Sequence, residues 1–158
     1  MLQCNIFNYL KIKQLEKGPG MQCIVRCGDG MTFIAETGSG HLVGMDGAPE
    51  GGGRNLAPRP MEVLLAGAGG CTAYDVVVIL KKNQQEVTGC DVALHAERAA
   101  SDPKVFTRIH YRFTVRGRNL KRSLVEQAVR LSHEKYCSAT AMLAKTAEIT
   151  KEFHIAEA

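Results

Sequence analysis

The sequence predicts an α+β fold with antiparallel sheets, its elements in the order βββαββααβ. Three observations carry this. Residues 21–45 and 87–116 alternate apolar and polar side chains, as half-buried strands do. A long apolar helix opened by Pro60 separates these two stretches. The strands come in blocks rather than one per helix, which argues for hairpins and against a parallel βαβ sheet. At 158 residues, 45% of them hydrophobic, the chain has the material for one ordinary domain with a small core. Such a core gains from dimerisation.

Residues 1–20 end in Lys-Gly-Pro-Gly, which stops any regular element, and read as an N-terminal extension or cloning remnant before a domain of residues 21–158. From Met21 the chain alternates, with Cys23, Val25 and Cys27 on one face and Gln22, Ile24 and Arg26 on the other. Gly28-Asp29-Gly30 and Gly38-Ser39-Gly40 are turn signals that divide 21–45 into three short strands. Residues 44–60 are rich in Gly and Pro without periodicity, the composition of a long loop of functional or merely surface character. Pro60 suits a first helical turn, and the helix runs to about Lys82. It is apolar nearly all round, which predicts burial. Strands at 87–98 and 104–116 follow, the second with Arg108, His110, Arg112 and Thr114 on a wet face. Then come helices at about 120–136 and 138–145, and a last strand at about 146–155.

Several function classes are excluded by pattern. The net charge of +4 is scattered, without a basic run, so nucleic acid is not an expected partner. No run reaches the roughly 20 apolar residues of a membrane span, and the N-terminus does not read as a signal peptide. A cytoplasmic protein with reduced thiols and no membrane partner is therefore expected. Gly67-Ala68-Gly69 has Thr72 where a dinucleotide fingerprint needs glycine, and it lies inside a helix rather than at its start. Cys23 and Cys27 are four residues apart on a strand, roughly 13 Å, too far to share an ion. His133 and Cys137 have helical spacing but no second ligand pair, so no metal is expected. The same pair could imitate a thiol hydrolase, though no residue is placed to orient the histidine.

The thiols remain. Cys71 shares a helix face with Leu64, Ala68 and Asp75, beside three glycines that each cost a helix about 1 kcal/mol. Those glycines admit a neighbouring backbone, leave room beside the thiol, or do both. Cys137 stands between two helices near an N-terminus, a position that favours a thiolate. Both cysteines are read either as inert core residues or as a reactive pair; Cys4, Cys23, Cys27 and Cys90 receive no role.

"APRPMEVLLAGAGGCTAYDV", followed 66 residues later by "LSHEKYCSATAML", resembles the OsmC/Ohr family, the osmotically inducible and organic hydroperoxide resistance proteins, and within it the YhfA-like branch. The resemblance covers about 21–158. It implies an intertwined homodimer whose long central helices lie between the sheets. It also implies a peroxidase active in oxidative stress defence, in which Cys71 is the peroxidatic thiol and Cys137 the resolving one, joined as a disulfide after each turnover. The substrate class is a small organic hydroperoxide. The reductant is an external dithiol, lipoyl-linked in some members, with no cofactor. In the organic hydroperoxide branch a hairpin arginine and a glutamate directly after the helix-opening proline activate the thiol. Here Met61 follows Pro60 and Glu62 comes one place late, nine residues before Cys71. The Gly28-Asp29-Gly30 turn carries no arginine, which leaves Arg54 and Arg59 of the long loop as substitutes, and Ser138 stands where proline commonly follows the second cysteine. A non-catalytic redox-sensing or small-molecule-binding protein on the same fold is the alternative.

Overall fold

The structure is a computed structural model and describes residues 20–158; the reading of residues 1–20 as an extension lies, but for Gly20, outside the described residues. The chain divides into two compact units, one ending at Leu64 and one spanning Leu65–Ala158.

In the first unit, β1 (Cys23–Cys27), β2 (Thr32–Thr37) and β3 (Leu42–Asp46) form an antiparallel meander. The predicted turns close it. Gly30 takes φ +67° in the first turn and Gly40 φ +82° in the second, backbone conformations that favour glycine. The face of β1 bearing Cys23, Val25 and Cys27 is the exposed one. Residues 47–59 are not structureless. Asp46, fully buried at the end of β3, accepts the backbone N–H groups of Gly47 (2.8 Å), Arg54 (3.0 Å) and Leu56 (3.0 Å). These donors, Leu56 foremost, hold its carboxyl below the ordinary carboxylate range against the opposing effect of burial. One side chain thus does for this loop what a ladder does for a strand.

Helix α1 (Pro60–Lys82) begins at the predicted proline and ends in the predicted polar tail. It has the length and composition to cross a membrane, contrary to the run-length reading. One stripe of it packs into the core: Ala68, Gly69, Thr72, Val76 and Leu80 are buried. Burial is not all round, however, because Leu64 and Tyr74 remain 45% and 71% exposed.

In the second unit, β4 (Glu86–Arg98) and β5 (Phe106–Arg118) pair antiparallel along their whole length. The expected alternation of β5 holds: Ile109, Tyr111, Phe113 and Val115 are fully buried, while Arg108 and Arg112 face solvent. Each of those side chains contributes about 1.5–3 kcal/mol of burial. α2 (Arg122–Leu131) adds Val125, Ala128 and Val129 to this core. A π-helical turn (Ser132–Tyr136) follows, then α3 (Ser138–Leu143) and β6 (Glu148–Glu157). Two expectations are corrected here. The helix predicted as continuous over 120–136 changes hand-over at Ser132, where the backbone shifts from i−4 to i−5 bonding. The second sheet is mixed, because β6 returns after two helices and pairs parallel to β5.

Candidate functional site

The second unit brings together residues from α1, the π turn and α3. The side-chain sulfurs of Cys71 and Cys137 and a carboxylate oxygen of Asp75 all lie within 4.8 Å of one another. Cys71 and Asp75 project from the same side of α1 because they are four residues apart. A Cβ at residue 69 would stand 2.8 Å from Cδ1 of Leu94 on β4, so the end of that leucine packs where glycine leaves room. Of the three glycines, Gly69 is the packing glycine; Gly67 and Gly70 face open space.

Asp75 is held from the π turn. Ser132 Oγ donates to its carboxylate at 3.0 Å and is itself bonded to Thr72 Oγ1 at 2.7 Å. With Ser132 donating to Asp75, Thr72 is the donor to Ser132. Thr72 and Ser132 are both fully buried, so the chain of hydroxyls ends on the carboxylate without help from solvent. The π turn places Cys137 by a bond from its N–H to the Ser132 carbonyl at 2.8 Å, five residues back. π turns of this kind recur at functional sites.

Cys137 is 2% exposed. Its sulfur accepts from Thr140 N–H (3.4 Å) and Thr140 Oγ1 (3.1 Å), and Tyr111 Oη lies 3.4 Å from the same threonine oxygen. The expectation that a helix start lowers its pKa is overturned. Burial pushes the thiol up, the Thr140 bonds only partly offset this, and the neighbouring Cys71 sulfur pushes it up further. Cys137 is therefore the protonated partner, and the half-buried Cys71 the accessible one. Cys90 is no rival, since burial pushes its thiol up to about 11. Cys23 and Cys27 are exposed on the first unit's meander.

His133 does not pair with Cys137. Its ring packs edge-on against Tyr111 and Phe113, at 4.8 and 5.7 Å between centroids, and both ring nitrogens are buried without a hydrogen-bond partner. Burial, with a smaller push from Lys151, lowers its pKa to about 4, so the ring is neutral. This removes the geometric basis for a hydrolase at that pair. Arg54, Arg59 and Glu62 belong to the first unit, where two of them have local partners. Arg54 pairs with Asp29 at 3.3 Å, and the Glu62 carboxylate accepts the Arg59 N–H at 2.9 Å, closing the first turn of α1.

Sequence reasoning passed over Thr72, Asp75, Ser132, Thr140 and Tyr111 as functional residues. The i, i+4 spacing of Cys71 and Asp75, and a threonine and an aspartate in an otherwise apolar helix, were the available signals.

A fold of two small sheets and a long helix, carrying two thiols within 4.8 Å, defines a class of protein rather than a reaction. The family described as OsmC-like protein matches residues 51–152, and the chain belongs to that family. Protein YhfA of Escherichia coli strain K12 is 46% identical over 138 residues, which are 87% of this chain and 100% of the relative. A hypothetical protein from Aquifex aeolicus VF5 has a similar structure, with a TM-score of 0.76 and 29% identity over 88% of this chain and 98% of its own. The organic hydroperoxide resistance protein OhrB of Bacillus subtilis shares the fold at a TM-score of 0.59, with 18% identity over 85% and 98% of the two chains.

Proposed function

We propose that the protein is a cytoplasmic thiol peroxidase that reduces organic hydroperoxides in oxidative stress defence, with Cys71 attacking and Cys137 resolving. The observation that supports this most directly is the placement of the two sulfurs within 4.8 Å, one accessible and one buried and protonated. The Cys71 thiolate attacks one peroxide oxygen and the O–O bond breaks. Cys71 becomes a sulfenic acid, and the alkoxide takes a proton and leaves as the alcohol. The Cys137 sulfur then attacks the sulfenic sulfur, forming the S–S bond and expelling hydroxide. The Cys137 proton joins that hydroxide as water, with Asp75 beside both sulfurs to relay it. Two electrons have then passed from the thiols to the peroxide. Closing from within 4.8 Å to an S–S length of about 2.05 Å requires a movement of at most about 3 Å. An external dithiol, free or carried as a lipoyl group, reduces the disulfide by exchange, without cofactor or resident metal.

Glu62, Arg54 and Arg59 stay in this reading as the candidate activators of Cys71. A homodimer completes the reading, because Leu64 and Tyr74 leave an apolar face of α1 for a second copy to cover.

The test is mass spectrometry of the reduced protein after one equivalent of cumene hydroperoxide, with dithiol-dependent peroxide consumption measured in parallel. An intramolecular Cys71–Cys137 bridge is expected, and Cys71→Ser should abolish consumption. Full consumption by Cys71→Ser, or overoxidation of Cys71 without a bridge, overturns the assignment. A bridge that forms once and never turns over moves the protein to the redox-sensing alternative.

A further inference from the structure

The thiol pair and the Asp75 carboxylate beside it form a donor set of a recognisable kind. We propose that Cys71, Cys137 and Asp75 together bind one zinc ion when both cysteines are reduced. Two sulfurs each about 2.3 Å from a tetrahedral zinc stand about 3.8 Å apart, so atoms already within 4.8 Å need shift by at most about 1 Å. That is a smaller movement than disulfide formation demands. Two thiolates with one carboxylate are a mixed soft and hard set, which favours zinc over copper(I), whose preferred partners are all sulfur. Three protein ligands leave a fourth position for water.

The surroundings fit as well. Ser132 donates to Asp75 at 3.0 Å, the outer-sphere hydrogen bond that orients a ligating carboxylate, and Thr72 fixes Ser132 in turn. Thr140, hydrogen-bonded to the Cys137 sulfur, orients that ligand from the opposite end. Binding exchanges two thiol protons for the ion, so zinc occupancy falls as pH falls. Neither sulfur of a disulfide is a thiolate, so oxidation releases the metal. Zinc held by both thiols would block their attack on peroxide, a consequence that rests on the peroxidase reading above; the binding does not.

The experiment is anaerobic titration of the reduced full chain with zinc chloride against a chromophoric chelator, with cobalt(II) in parallel to report sulfur ligation by near-ultraviolet charge transfer. One zinc per chain is expected, retained in Cys23→Ser/Cys27→Ser and lost in Cys71→Ser and in Cys137→Ser. Ser132→Ala, which keeps all three ligands, should bind about 10–100-fold more weakly. No stoichiometric zinc on the reduced protein, or uptake that follows Cys23 and Cys27 instead, overturns the site. Zinc binding by a protein that forms no peroxide-induced bridge keeps this site and removes the peroxidase reading. A bridge without zinc binding does the reverse.

Discussion

Ser132→Ala is the most informative single change in the second unit. It removes a 2.7 Å bond with Thr72 and a 3.0 Å bond to Asp75. Thr72 is fully buried, so its hydroxyl is stranded, at a cost of about 1–3 kcal/mol. Asp75 is only half-buried, and water replaces part of what Ser132 supplied, so the total should be about 2–3 kcal/mol. Thr72→Val alone leaves the Ser132–Asp75 bond intact and should cost about 1 kcal/mol. The double variant strands no hydroxyl, and should be about 1 kcal/mol less destabilised than the sum of the two singles. Urea denaturation followed by far-ultraviolet circular dichroism, at one fixed protein concentration, measures all four corners of the cycle. A Ser132→Ala variant within about 0.5 kcal/mol of the parent, or strict additivity in the double, would refute the hydroxyl chain.

Three further outcomes are expected. Asp46 has a depressed carboxyl pKa in the folded protein, so its contribution is complete above the ordinary carboxylate value near 4 and is lost as pH falls through the folded value. Thermal melts should therefore show an acid-side fall in the parent that Asp46→Asn lacks, with Asp46→Asn the less stable of the two at neutral pH. His133, with its pKa lowered to about 4, binds its proton more weakly folded than unfolded, so stability should fall as pH drops from about 6.5 toward 4. His133→Phe, which keeps the ring contacts, should flatten that slope, and NMR titration should place the imidazole transition near 4. Tyr74→Glu puts a charge on the uncovered face of α1, and light scattering should find it monomeric with an unchanged circular dichroism spectrum; an intact dimer would move the interface elsewhere.

What was legible in the sequence follows from how local each signal is. Pro60 and the Lys81-Lys82-Asn83 exit bound α1 correctly, because caps and polarity act within a turn. The two faces of β5 were legible because alternation is a property of the strand itself. The parallel pairing of β6 was not, since a strand's period says nothing of its partner or direction. The stretch 44–60 looked structureless because its order comes from the Asp46 carboxylate together with irregular backbone bonds such as Asp46 N–H to the Pro58 carbonyl, and neither leaves a periodic trace in composition. The Cys71–Cys137 pair was anticipated through family resemblance rather than spacing. Asp75 and Ser132 were missed because their bond spans 57 positions in sequence.

The π turn between Ser132 and Cys137 has a consequence for how this segment tolerates change. Its outward residues Glu134, Lys135 and Tyr136 are exposed, and substituting them alters little of the interior. Their number is another matter. An ordinary helical turn holds one residue fewer. Deleting Lys135 would replace the i−5 bond from Cys137 N–H to the Ser132 carbonyl with the narrower i−4 geometry, and so would move Cys137 and α3 relative to the serine that grips Asp75. The segment acts as a spacer whose length is fixed while its lettering is free, so variation across this stretch should accumulate as substitutions and almost never as insertions or deletions.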